Sequence, residues 1–249
     1  MTEAYPAGWP PAMLPPPPRS SGLAVLTSKI EACTACTAQR PAGMRVVGDG
    51  PLDASIVLIG EAPGADEEAA GRPFVGASGK MLDDWLASAG ILRKRVRVLN
   101  LLACRPTEPG ARRDTLRNRT PTPVEARACR AHMLEQLGLL TPIVIVTIGG
   151  TSLHAFKPRG RIVEATAPHF NAYVKRDGTF EQRMAGMPAL PAPAWIKLFS
   201  IWHPAGVMHL QRSSKAEAKA AVRASVARLD DARQYVERNM SARTGGDRG

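Results

Sequence analysis

Ser55-Ile56-Val57-Leu58-Ile59-Gly60-Glu61-Ala62-Pro63-Gly64 is an aliphatic run that stops on a glycine and turns within four residues. The run shows no polar alternation, which is the pattern of a strand covered on both faces, as in a parallel sheet. Gly60, Pro63 and Gly64 then allow a sharp turn and a close approach of backbone to a ligand. Three more runs of the same type follow, at Val96–Leu102, Ile143–Ile148 and Ile196–Trp202. Helical patterns lie between or beside them. Lys80–Ala89 places Met81, Leu82, Trp85, Leu86 and Ala89 on one face. Pro123–Leu137 opens with Thr122, Pro123 and Glu125, the pattern of an N-cap, an N1 proline and a capping-box acid. Ser214–Val236 carries Val222, Val226, Leu229 and Val236 on one stripe. Strands alternating with helices predict an α/β fold, a three-layer α/β/α sandwich around a central four-stranded parallel sheet.

A chain of 249 residues suits one such domain with tails. Residues 1–21 hold Pro10, Pro11 and the run Pro15–Pro18, and are expected to form a disordered tail. They lack the basic start and apolar middle of a signal peptide. The domain then spans 22–240, with insertions at about 107–120 and 157–194, and 241–249 reads as a second disordered tail. The first insertion is Arg-rich (Arg112, Arg113, Arg117, Arg119); the second is rich in Pro and Gly and has room for a hairpin. No stretch reaches the roughly 18 apolar residues of a membrane span. A cytoplasmic monomer is expected. Lys and Arg outnumber Asp and Glu by 33 to 22, a net charge of +11 that favours polyanions through counterion release.

The chain has four cysteines, Cys33, Cys36, Cys104 and Cys129. Cys33 and Cys36 form a C-x-x-C pair in a predicted helix; Cys104 follows the second strand and Cys129 lies in the helix that begins at Pro123. In a reducing compartment four thiols read as metal ligands rather than disulfides. Their spacing suits zinc or an iron–sulfur cluster alike. A lone C-x-x-C also suits a thiol–disulfide enzyme, and cysteine is often simply a small buried residue.

The turns after the strands carry the polar candidates. The first strand leads to Glu61 and then to Gly71-Arg72-Pro73-Phe74-Val75-Gly76 and Ser78-Gly79; the second ends in Asn100, and the fourth in Trp202-His203-Pro204-Ala205. In a parallel sheet these carboxyl ends share one rim, where ligands bind.

Gly60–Gly64, Arg72–Gly79, Asn100–Pro106, Thr120–Cys129 and His203-Pro204 together resemble the motifs of family 4 uracil-DNA glycosylases, in the same order and over most of Ile30–Met208. The resemblance implies a [4Fe–4S] cluster on Cys33, Cys36, Cys104 and Cys129, and so iron–sulfur rather than zinc. It implies a DNA repair enzyme that flips uracil from single- or double-stranded DNA and hydrolyses its N-glycosidic bond. Phe74 would stack on the flipped base, although core packing is its ordinary role. Asn100 would donate to uracil O4 and accept from N3–H. His203 would stabilise charge developing at O2. Glu61 and Glu67 are the acidic candidates for orienting water or steadying the cationic sugar, Glu67 being otherwise an exposed acid in Asp66-Glu67-Glu68. Where the best-known uracil glycosylases place an aspartate, this chain has Ala62, so a strong general base is missing and leaving-group stabilisation carries more of the catalysis.

After His203-Pro204 the family usually shows a short apolar wedge and an arginine. Val207 and Met208 are the candidates here for filling the space of the flipped base, with Arg212 for a phosphate. Arg112, Arg113, Arg117 and Arg119 are candidates for gripping DNA phosphates, the alternative for this insertion being contact with another protein. The alternatives are a DNA-binding member of the fold without catalysis, a glycosylase for other deaminated bases, and a redox protein.

Overall fold

The computed structural model describes residues 19–36, 43–112, 115–183 and 194–245. Four parallel strands stand on the apolar runs: β1 (Ile56–Gly60), β2 (Val96–Asn100), β5 (Val144–Ile148) and β8 (Ile196–Ile201), side by side in the order β2-β1-β5-β8. The sheet does not end there. β6 (Asn171–Val174) and β7 (Phe180–Arg183), both from the second insertion, add an antiparallel hairpin to the free edge of β8. The sheet is therefore six-stranded and mixed, which corrects the expected four. The hairpin strands are four residues each and too short for a periodic signal. What fixes them is the edge of β8, whose unpaired N–H and C=O groups they satisfy. At the opposite edge Asp49 bridges Val98 of β2 through paired backbone bonds of 2.9 and 2.8 Å.

Alternate strand residues face opposite helical layers. Ile56, Leu58, Val96, Val98 and Val146 pack with α3 (Ala77–Ser88), α7 (Pro204–Ser213) and α8 (Lys215–Gly245). Val57, Ile59, Leu99, Ile145 and Leu198 pack with α4 (Pro123–Gly138), α5 (Gly150–His154) and α6 (Ile162–Ala165). This is the three-layer sandwich. α4 begins as its sequence predicts: the Thr122 hydroxyl accepts from Glu125 N–H (3.2 Å), and the Glu125 carboxylate accepts from Thr122 N–H (2.8 Å). α1 (Arg19–Glu31) lies outside α4, with Leu26 and Ile30 packed on Ala103.

α8 runs antiparallel to β1, β2, β5 and β8. Ser225 Oγ accepts from Trp202 N–H (3.1 Å) just beyond the carboxyl end of β8, whereas Met240 meets the Ser55 hydroxyl at the start of β1. The helix continues to Gly245, into the stretch expected to be a disordered tail, and α1 starts at Arg19, inside the other. The remainder of those tails, 1–18 and 246–249, lies outside the described residues. The Arg-rich insertion forms a small antiparallel hairpin, β3 (Thr107–Pro109) and β4 (Leu116–Asn118). No described helix is long and apolar enough to cross a membrane.

Candidate active site

The carboxyl ends of the strands form one rim, as the topology requires. Gly60 of β1 lies in register with Asn100 of β2, and His203 follows β8. Gly149, after β5, has φ +86°, and a Cβ there would stand 2.9 Å from the His203 Cβ. A cavity of about 480 Å³ opens at this rim, and Glu61, Ala62, Glu67, Phe74, Asn100 and His203 all line it. The sequence candidates from three separate strand ends thus meet in one place.

The cavity's floor is shaped by close approaches that only glycine permits. A Cβ at Gly60 would lie 2.4 Å from Asn100 Oδ1 and 2.6 Å from Phe74 Cε2. Phe74 has φ +56°, a left-handed backbone that costs a bulky residue about 1–3 kcal/mol. Gly79 of α3 sits directly beneath it, where a Cβ would fall on the Phe74 carbonyl oxygen. The Phe74 ring belongs to the buried core and also lines the cavity, 6.3 Å from the His203 ring. Core packing and base stacking are therefore compatible roles for the same ring. Asn100 is only 5% exposed, and its side-chain oxygen has no hydrogen-bond partner among the described residues.

His203 is the N-cap of α7, and its Nδ1 accepts from Ala205 N–H (3.2 Å). Burial pushes its pKa below the ordinary 6.5, against an upward pull from Glu61 and Glu67. The imidazole is therefore neutral near pH 7. With Nδ1 accepting, the proton sits on Nε2. Glu67 is not a solvated acid. Its two oxygens accept from Gly64 N–H (3.0 Å) and Gly76 N–H (3.2 Å), tying together the loops before α2 (Ala65–Ala70) and α3. Glu61 lines the cavity without such ties.

Several candidates sit elsewhere than expected. Val207 is 0% exposed and packs in the core, so it cannot be a wedge. The stretch after His203-Pro204 is a helix rather than a loop, and its turn points Val207 inward. Met208 is half-buried and Arg212 exposed. Arg119 lines the cavity, but its guanidinium forms a two-pronged ion pair with Glu125 (2.8 and 2.6 Å) and donates to Thr107 O (3.1 Å), so it also staples the hairpin to α4. Arg117 is exposed and pairs with Glu108 at 3.3 Å; Arg112 is exposed. Arg113 lies outside the described residues. His209 was not anticipated: it lines the cavity one helical turn after Ala205, a spacing visible only once α7 is known to be helical. Asn118 of β4 also reaches the cavity, bringing the hairpin to the pocket mouth.

Cys33 and Cys36 follow the end of α1 in a turn, not in a helix as expected. Cys36 packs with buried Cys104 and Cys129 in one apolar cluster. Burial pushes the thiols of Cys104 to about 11 and of Cys129 to about 12, and each also feels the charge of Cys33 and Cys36. His132 Nε2 lies 3.2 Å from Cys33 Sγ. Among the described residues no group of His, Cys, Asp or Glu is arranged to grip a single metal ion. Cys36 packed with Cys104 and Cys129, and Cys33 acting on both buried thiols, nonetheless form a sulfur donor set whose chemistry fits a thiolate-bound centre.

Comparison with known proteins gives this geometry a lineage. Residues 47–227 match the sequence profile of the Uracil DNA glycosylase superfamily. A type-4 uracil-DNA glycosylase of Thermotoga maritima is 39% identical over 55% of this chain and 67% of its own length. Type-4 enzymes of Pyrobaculum aerophilum and Archaeoglobus fulgidus are 32% and 33% identical, over 75% and 74% of this chain and 84% and 82% of their own lengths. The chain belongs to the uracil DNA glycosylase superfamily and, within it, to the type-4 family.

Proposed function

We propose that this protein excises uracil from DNA by hydrolysing the bond between the base and its sugar, leaving an abasic site. The observation that carries this reading is the buried, partnerless side-chain oxygen of Asn100 beside Phe74 and His203. A base must leave the stack to reach such a pocket, at a cost of a few kcal/mol. Stacking on Phe74 offsets part of that cost. The Asn100 oxygen accepts from uracil N3–H and its amide group donates to O4. Cytosine presents the opposite pattern, and a pocket built on such bonds discriminates by roughly 10⁴-fold.

As the C1′–N1 bond breaks, its electron pair moves onto the base and charge gathers on O2. The Nε2–H of neutral His203 points its donor at that oxygen, an interaction stronger in the transition state than in the ground state. Water adds to C1′, and its proton is released as the sugar hydroxyl forms. Glu61 is the carboxylate left to face the sugar and water. Glu67 acts as a positioning residue, through the Gly64 and Gly76 backbones.

Cys33, Cys36, Cys104 and Cys129 would hold a [4Fe–4S] cluster. When bound, it supplies a cross-link between the end of α1, the segment after β2, and α4. Arg112 and Arg212 remain exposed candidates for phosphate contacts.

Incubation with a uracil-containing oligonucleotide, followed by cleavage at abasic sites, tests the reading. The wild type should cut single- or double-stranded substrate, and His203→Ala should bind it while losing about 10²–10³-fold in rate. A wild type that leaves uracil in place, or a fully active His203→Ala, would overturn it. The same purified protein should be brown and release iron and sulfide in acid; a colourless zinc protein would refute the cluster.

A further inference from the structure

We propose that the first turns of α8 form a track for the DNA backbone flanking the flipped nucleotide; this rests on the reading of the pocket as a uracil site. Lys215, Lys219 and Arg223 recur every four residues and so project from one face, about 6 Å apart along the helix. All three are exposed. With Gln211 and the apolar floor of Ala218 and Val222 they line a groove of about 480 Å³.

Two features make this a docking surface rather than an ordinary solvated face. The first is the contrast along the helix itself. Further along, two of the arginines are neutralised locally: Arg228 pairs with Asp231 at 2.9 Å, and Arg233 with Asp230 and Glu237, while Arg238 bonds, among the described residues, only to the Gln234 amide. Among the described residues Lys215, Lys219 and Arg223 have no ion pair. The one acid nearby, Glu217, is two residues from both lysines and faces away from them.

The second feature is position. Ser225 is level with Trp202 at the carboxyl end of β8, so the antiparallel helix carries residues 215–223 beyond the sheet's carboxyl rim. The pocket opens at that same rim, and α7, whose Ala205 and His209 line it, leads directly into the groove. Unpaired cations beside a pocket for a DNA base match a phosphate backbone in charge, and the apolar floor suits its sugars. DNA carries a phosphate every 3.4 Å along each strand, so cations about 6 Å apart meet roughly every second one.

The test compares the full-length wild type with a Lys215→Ala/Lys219→Ala/Arg223→Ala variant, using fluorescence anisotropy on a long uracil-containing duplex over a range of salt. The slope of log K against log salt should flatten by about 2–3 in the variant, and low-salt affinity should fall roughly tenfold or more. Excision from a uracil trinucleotide, too short to reach α8, should stay within about twofold of wild type. Lys94→Ala/Arg95→Ala, at the far edge of the sheet, should leave the slope nearly unchanged. An unaltered slope in the triple variant, or equal flattening in the Lys94/Arg95 control, would overturn the track. A wild type that binds the duplex but excises nothing counts against the pocket reading alone, because the slope comparison still decides the track.

Discussion

Asn100 and Glu125 are both buried polar side chains, 5% and 0% exposed, and the structure treats them in opposite ways. Glu125, at the base of the Arg-rich hairpin, has its carboxylate bonded to both prongs of Arg119 and to the Thr122 N–H. Asn100, on the pocket rim, has a side-chain oxygen with no partner among the described residues. An unsatisfied buried acceptor costs about 1–3 kcal/mol. The same rim holds Phe74 in a left-handed backbone, at a similar cost. The hairpin base thus settles its polar groups internally, whereas the pocket leaves the Asn100 oxygen unsatisfied among the described residues, as the proposed base recognition requires. Polarity and burial alone do not separate the two regions; satisfaction does.

Three experiments sharpen or break that contrast. Asn100→Ala has the largest expected effect. Single-turnover excision should drop by about 10³-fold, while the Tm holds or rises, since an unpaired buried oxygen disappears. A large fall in Tm would mean that Asn100 is a structural group like Glu125. Glu125→Ala should do the reverse. It leaves the Arg119 guanidinium without its partner and removes half of the α4 capping box, costing about 3 kcal/mol in urea unfolding. The folded fraction should keep its excision rate within a few-fold; a selective loss of activity would join the hairpin base to the pocket chemistry. The smallest effect is that of pH. His203 is held below 6.5 chiefly by burial, so excision should continue unchanged as pH falls through that value and decline only further down. Stability follows the same group. Its folded pKa is lowered, so the unfolded chain takes up the proton first, and stability is lost as pH falls below about 6.5. An excision profile that breaks at or above 6.5 would show that the imidazole does not enter the reaction in its buried, neutral form.

Much of this site was legible because strand ends in a parallel sheet share a rim. Glu61, Asn100 and His203, far apart in sequence, needed only the sheet direction to be gathered, whereas Phe74, in the loop between α2 and α3, was singled out by the motif resemblance. Glu67 was harder, since its neighbours Asp66 and Glu68 make it look like one of a solvated trio. Its role rests on the N–H groups of Gly64 and Gly76, and the second of these lies nine residues away. Arg119 looked like part of a phosphate-binding run, and only the fold of the hairpin brings it onto Glu125. Val207 looked like a wedge because an apolar residue after His-Pro gives no sign of whether it faces DNA or the core.

Short-range chemistry accounts for what could be read directly. Aliphatic runs specify β1, β2, β5 and β8, Thr122-Pro123 and Glu125 specify the start of α4, and Cys33 and Cys36 specify a C-x-x-C pair, because each depends on residue type and spacing within a few positions. The tertiary structure decided the rest. It added β6 and β7 to the edge of β8, turned Val207 inward, brought His209 to the cavity, and carried Lys215, Lys219 and Arg223 of α8 past the carboxyl end of the sheet. These outcomes depend on which distant surfaces meet, and on whether a buried polar or charged group finds its partner there. Local periodicity does not encode that meeting.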